Sequence, residues 1–309
     1  MKIWILIKKG NLNAYGNKRL KEAAEQMGIK LKIIYPEDLD IIVTRGGRKS
    51  ILHKGSPVEL PDCLIPRMGA NTTYFGLAII RHLERLGVFV VNSSQSIENA
   101  KDKLATLQIL ASNNVPIPKT MLAKFPLDID GIEREFGYPV ILKTVSGCQG
   151  KGVFLCEKKS QLEDLADLME VSKDWKINVI IQEFVSTSKG KDIRVFVVGG
   201  RVIGAMLRMA GEGKFKANFS AGGTVAPFKL NPALEWLAAE SAKLVGLDIA
   251  GVDILFDGDN YKVCEVNSSP GFEGFENATG VNVPKEIYNY IQVRLGGSLS
   301  VTKTVPKLM

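Results

Sequence analysis

An α/β chain that turns α+β in its second half is predicted by three observations. Strand-like and helical segments alternate from Ile3 to Val91, paired strand runs joined by tight turns dominate after Val179, and the 309-residue length exceeds one ordinary hydrophobic core. Two or three subdomains are therefore expected.

In order, Ile3 to Ile7 reads as a buried strand, Asn17 to Met27 as a polar helix stopped by Gly28, and Lys30 to Tyr35 as a second strand. Cys63-Leu64-Ile65 leads into Pro66-Arg67, Phe75 to Leu86 carries helical spacing before Gly87, and Val88 to Val91 is again a strand. This predicts a small open parallel sheet with covering helices. Asn92-Ser93-Ser94-Gln95 breaks the pattern, and Ser96 can cap a helix that runs to Leu110 and displays Lys101 and Lys103. Val115-Pro116-Ile117-Pro118 forms an extended joint to a strand at Thr120 to Ala123. Pro139 to Lys143 is a strand ending on a lysine, and Ser146 to Gly152 is a glycine-rich loop between strands, as in a flexible flap. Val179 to Phe184 and Ile193 to Val198 are strands, and Gly199-Gly200 turns the second into Val202 to Leu207. Gly211 to Thr224 is irregular, Pro232 to Val245 is an amphipathic core helix, and Pro284 to Leu295 is a last helix closed by Gly296-Gly297. Residues 298–309 read as a flexible tail.

Composition narrows the function. Hydrophobic content of 45% and charge of 24% are globular values. The five apolar residues after Lys2 are too few for a signal-peptide core or a membrane span. Four cysteines without metal-finger spacing suit a reducing compartment, and a cytoplasmic location is expected. The net charge of +7 is spread along the chain with no basic block, which argues against a nucleic-acid module. Solvated surface charge accounts for it; an acidic peptide or free acidic amino acid as substrate is its functional version.

Chemistry concentrates at Gly251 to Phe256 and Glu265 to Gly271. The turn Asp257-Gly258-Asp259-Asn260 between these runs would fold them into a hairpin and bring Asp253 to Glu265 and Asn267, which share one strand face. Three hard oxygen ligands suit magnesium held against nucleotide phosphates; solvated strand-end acids around an ordinary turn are the plain alternative. Lys143, at a strand end beside the glycine loop, can place its ammonium on phosphate oxygens. The loop is not a Walker A motif, since Gly152 follows Lys151. Arg194 and Arg208 fall at the same end of two paired strands, where guanidinium groups can hold a carboxylate or a transferring phosphoryl group. His53 and His82 have no nucleophile at a recognisable motif and are assigned structural roles.

Lys101, Lys143, the loop Ser146 to Gly152, Gln182-Glu183-Phe184, Asp192-Ile193-Arg194, Asn218 with Gly222-Gly223, and Glu265-Val266-Asn267-Ser268-Ser269-Pro270-Gly271 stand in an order that resembles the ATP-grasp carboxylate-amine ligases, nearest the RimK-type amino-acid ligases. The resemblance spans Met1 to Leu295. It implies an ATP-grasp fold: a Rossmann-like open-sheet domain (1–95), then a central subdomain with the flap (96–185) and a C-terminal subdomain (186–297) that clasp ATP between them. It further implies that Lys101 and Lys143 hold phosphates, with backbone amides of Ser146, Gly147, Gly150 and Gly152. Gln182, Glu183 and Phe184 would meet the adenine and Asp192 the ribose. Lys216 and Asn218 would lie near the phosphates. Arg208, with Arg194 and Asn218, would stabilise the developing charge, and Asp253, Glu265 and Asn267 would bind Mg2+ (or Mn2+), two ions in all. The implied reaction joins an amino acid, foremost glutamate, to the carboxylate of a small molecule, peptide or protein C-terminus, in a homo-oligomer without membrane or nucleic acid. Ser220-Ala221 replace the family's His-Arg pair before Gly-Gly, which leaves the acceptor open. A lysine-biosynthesis-like ligase using a carrier protein, and a nucleotide-regulated binding protein without turnover, are the alternatives.

Overall fold

The computed structural model describes residues 1–45, 50–144, 152–171, 178–211, 215 and 222–299. The chain opens with β1 (Lys2–Leu6), α1 (Tyr15–Gln26), β2 (Lys30–Ile34), β3 (Leu39–Ile41), β4 (Ile51–His53), β5 (Ser56–Pro57), β6 (Cys63–Pro66), α2 (Tyr74–Arg85) and β7 (Phe89–Val90). Strands β2-β1-β6-β7 form one parallel sheet. Alternation along β1 serves both faces: Ile3 and Ile5 pack toward α1, Trp4 and Leu6 toward α2. The antiparallel β3-β4-β5 sheet was not expected; its strands are too short to show a period.

Next come α3 (Ser94–Lys101), α4 (Lys103–Ser112), β8 (Thr120–Ala123), α5 (Ile129–Phe136), β9 (Val140–Thr144), β10 (Val153–Cys156), α6 (Lys159–Val171) and β11 (Val179–Glu183). The single helix expected from Ser96 is two. Ser93, not Ser96, caps α3, and Asp102 interrupts the run by accepting the N–H groups of Leu104 and Ala105 to start α4. Strands β10-β9-β11-β8 form an antiparallel sheet in which Val153 faces Lys143, so a hairpin carries the glycine loop. Gly152 has a φ of +71°, and a Cβ there would meet Thr144 Oγ1 at 2.3 Å.

The last part comprises β12 (Lys191–Val198), β13 (Arg201–Met209), β14 (Thr224–Pro227), α7 (Pro232–Val245), β15 (Ile249–Asp257), β16 (Asn260–Asn267), α8 (Glu273–Thr279) and α9 (Val283–Leu299). Its sheet runs β14-β13-β12-β15-β16, antiparallel throughout. Gly199 and Gly200 turn β12 into β13 with φ of +59° and +77°, the left-handed pair such a turn requires. Contrary to expectation, α9 passes through Gly296-Gly297. Glycine costs a helix about 1 kcal/mol each, and Ile287, Tyr288 and Ile291 bury the helix deeply enough to offset it.

One core joins the first and last parts: Ile3, Ile5 and Leu20 pack with Phe196, Phe272, Phe275, Ile287 and Tyr288. Asn92 fastens the same junction, donating to Ile249 O and Ser268 O and accepting from Ile249 N. The far face of the β12–β16 sheet is covered by α4 and α7. Among the described residues no helix is long and apolar enough to cross a membrane.

Candidate active site

A cleft of about 660 Å³ opens where the three parts meet, and its walls come from the start of α1, from the segment after β6, from α3 and the central sheet, and from β12, β13, β15 and β16. Asp253 stands directly opposite Glu265, and Asn267 opposite Gly251. Register slips after Asp253, since Ile254 pairs with Val263, and Cys264 is the extra residue of a bulge. The bulge keeps Val263 and Val266, three apart, both in the core while Cys264, Glu265 and Asn267 line the cleft.

Asp253 is 6% exposed. Arg194 grips it from β12 through Nε to Oδ1 and Nη2 to Oδ2, both at 2.7 Å, and Arg208 Nη2 reaches Oδ2 at 2.9 Å. Arg208 is itself held by Asp192, facing it in register, at 2.6 and 2.8 Å. Two cations and two carboxylates thus form a closed, buried, neutral set. Burial works against the Asp253 carboxylate, but Arg194 and then Arg208 outweigh it and pull its pKa down to about 2. Burial pushes Asp192 the other way; it shares Arg208 with Asp253, so acid protonates Asp192 first.

This donor set fits a hard divalent cation. Asp253 is held ionised and its Oδ1 accepts one hydrogen bond, which leaves a lone pair. Asn267 donates from Nδ2 to Gly251 O at 3.3 Å and to Asp253 Oδ2 at 3.5 Å, so its amide would turn over to present oxygen beside Asp253, and Glu265 is only loosely paired, with Lys103 at 3.8 Å.

Lys143 Nζ donates to Gln182 Oε1 at 2.6 Å and lies 3.7 Å from Cys264 Sγ, adjoining Glu265. Lys101, at the end of α3, lines the cleft and donates to Thr72 O at 2.7 Å. Gln182 also donates to Thr120, so both ends of its side-chain amide are engaged within the protein, and it lines the cleft. Glu183 accepts from Lys262 Nζ at 2.7 Å and Lys119 N at 2.9 Å and ties the central sheet to β16. Phe184 lines the cleft. Asp192, assigned to the ribose, pairs with Arg208 and lines the cleft. Ser146, Gly147, Gly150, Lys216 and Asn218 lie outside the described residues. Lys103 and Arg67, which line the cleft, went unassigned from sequence; a Lys-Asp-Lys helix face and a lone Pro-Arg pair carry no local signal.

The architecture recurs in solved structures. The ATP-grasp ligase PsnB, complexed with a phosphomimetic variant of its minimal precursor, Mg and ADP, has a TM-score of 0.75 at 22% identity, covering 95% of this chain and 98% of that one. The class is therefore the ATP-grasp fold. A family model of the RimK pre-ATP-grasp domain matches residues 1–97 and one of the RimK-like ATP-grasp domain residues 100–291. A "Probable alpha-L-glutamate ligase" of Legionella pneumophila (strain Corby) is 39% identical over 293 residues, 94% of this chain and 95% of its own. One of the same name from Marinomonas sp. (strain MWYL1) is 38% identical over 308 residues, 99% of this chain and all of its own. The chain belongs to the RimK family, and it is an ATP-dependent, ADP-forming carboxylate-amine ligase.

Proposed function

We propose that the enzyme activates a carboxylate as an acylphosphate and joins it to the amine of an amino acid, glutamate first among them. The observation that carries this is the placement of Lys143 Nζ 3.7 Å from Cys264, inside the hairpin that sets Asp253 against Glu265. A phosphate-binding cation and the oxygen ligands share one spot of the cleft wall. The names of the relatives favour glutamate, and the precursor peptide PsnA2 bound in another PsnB complex favours a peptide or protein carboxylate as acceptor.

A carboxylate oxygen is a poor leaving group, so it first takes the γ-phosphoryl of ATP; the amine then attacks the acyl carbon and phosphate departs. Such transfer needs positioning and charge neutralisation more than a covalent nucleophile. Lys101 and Lys143 hold the phosphates. Asp253, Glu265 and Asn267 would bind two Mg2+ ions, or Mn2+, which supply charge neutralisation. Arg208, with Arg194 and Asn218, faces the charge that develops during transfer. The chain works in the cytoplasm as a homo-oligomer, and a monomeric mass in light scattering would remove that last point.

The test is ADP release with magnesium-ATP against a panel of amino acids and carboxylate acceptors, with products weighed. Release that depends on glutamate, with a mass gain of one glutamate less water, is the expected result; release with another amino acid only would replace it. Lys143→Ala is expected to weaken ATP binding about ten- to a hundredfold, the loss of a charge-assisted contact, whereas exposed Lys21→Ala leaves it unchanged. Equal affinities by calorimetry would count against the role of Lys143.

A further inference from the structure

Four cations that line the cleft have no carboxylate partner among the described residues: Lys101, Lys143, Lys191 and Arg67. Lys101 and Lys143 are taken up by phosphate in the reading above, and Lys191 is exposed. Arg67 remains. It follows β6 directly, at the carboxyl end of the parallel sheet, the edge where open α/β sheets bind ligands. Its Nη1 and Nη2 share a single acceptor, Pro270 O, at 3.2 and 3.3 Å, and its Nε is buried with no acceptor. Its guanidinium lies 5.5 Å over the Phe272 ring. Burial alone moves its pKa, down to about 10, so the group stays charged at neutral pH with no carboxylate among the described residues to balance it. Arg194 and Arg208, by contrast, are neutralised by Asp253 and Asp192.

Arg67 is also tied to the transfer site. Pro270, which it grips, lies against Gly251, where a Cβ would come within 2.6 Å of Pro270 and 3.6 Å of Arg194 Nε. Gly251 is the register partner of Asn267. An anion on Arg67 would thus sit in the same cleft as the reacting groups, on the wall built by the N-terminal sheet.

We propose that Arg67 anchors a non-reacting carboxylate of an organic substrate, foremost that of the incoming amino acid. The inference rests on the ligase reading, because an enzyme that joins an amino acid to an acid handles at least one carboxylate that must be held and not activated. A planar two-pronged donor is suited to that task.

The experiment compares wild type, Arg67→Met and Arg67→Lys in two ways. In steady-state ADP release, Arg67→Met is expected to raise KM for L-glutamate about ten- to a hundredfold while KM for ATP stays unchanged, with Arg67→Lys in between. A rise confined to KM for an acceptor peptide would support the same chemistry with the acceptor as its source. In thermal denaturation without nucleotide, glutarate is expected to raise the midpoint of wild type and not of Arg67→Met, while the uncharged glutaramide moves neither. Equal glutarate shifts in both proteins, or a parallel rise in KM for ATP, would overturn the proposal. Should Arg67→Met fail to fold, Arg67→Lys carries both comparisons. If no amino acid supports turnover by wild type yet the glutarate shift still depends on Arg67, the ligase reading fails and the anion site stands.

Discussion

Glu265→Ala is expected to lower amino-acid-dependent ADP release about a hundred- to a thousandfold while the protein remains folded. Glu265 is 39% exposed at its side chain, and its ion pair with Lys103 spans 3.8 Å, so removing it costs stability only about 0–1 kcal/mol. What it removes is a hard oxygen donor opposite Asp253. Kinetics at saturating magnesium-ATP, paired with urea unfolding, separate the two effects. Undiminished turnover would take Glu265 out of the ligand set, and a large drop in the unfolding midpoint would make it a structural residue.

Asp253→Ala should behave differently although it belongs to the same set. Turnover is lost, and stability falls by about 3–5 kcal/mol, because Arg194 loses its carboxylate and Arg208 one of two inside the protein. Adding Arg194→Met to Asp253→Ala should recover part of that loss by removing the stranded charge, a coupling that a double-mutant cycle reads directly. The check is the urea midpoint at unchanged slope. An Asp253→Ala protein as stable as Glu265→Ala would mean that the four charged side chains are not a closed set in solution.

The two hairpins bearing these residues were legible because turn chemistry is local. Gly199-Gly200 supplies the positive φ that the first turn needs, and the short turn from Asp257 to Asn260 sets Asp253 near Glu265 before any tertiary contact is known. The parallel sheet was legible for a similar reason, as Ile3 and Ile5 alternate with Trp4 and Leu6 between two cores. Errors fell where a local signal had a rival. Ser96 and Asp102 can both cap, and the backbone used Ser93 and Asp102. Gly296-Gly297 can end a helix, yet Ile287, Tyr288 and Ile291 hold α9 past it.

Local pattern by itself determined the parallel sheet and the hairpins, because period and turn residues act over a few positions, but not the short β3-β4-β5 sheet; the order of the motifs carried the resemblance to an ATP-dependent ligase. Only the tertiary structure decided how charges pair. Arg194 meets Asp253 across 59 positions, Glu183 meets Lys262 across 79, and Arg67 meets a carbonyl 203 positions away and the ring of Phe272, with no carboxylate among the described residues. No sequence spacing encodes such partners, since electrostatic energy depends on separation and burial in space, and both are set by the packing of the three parts around the cleft.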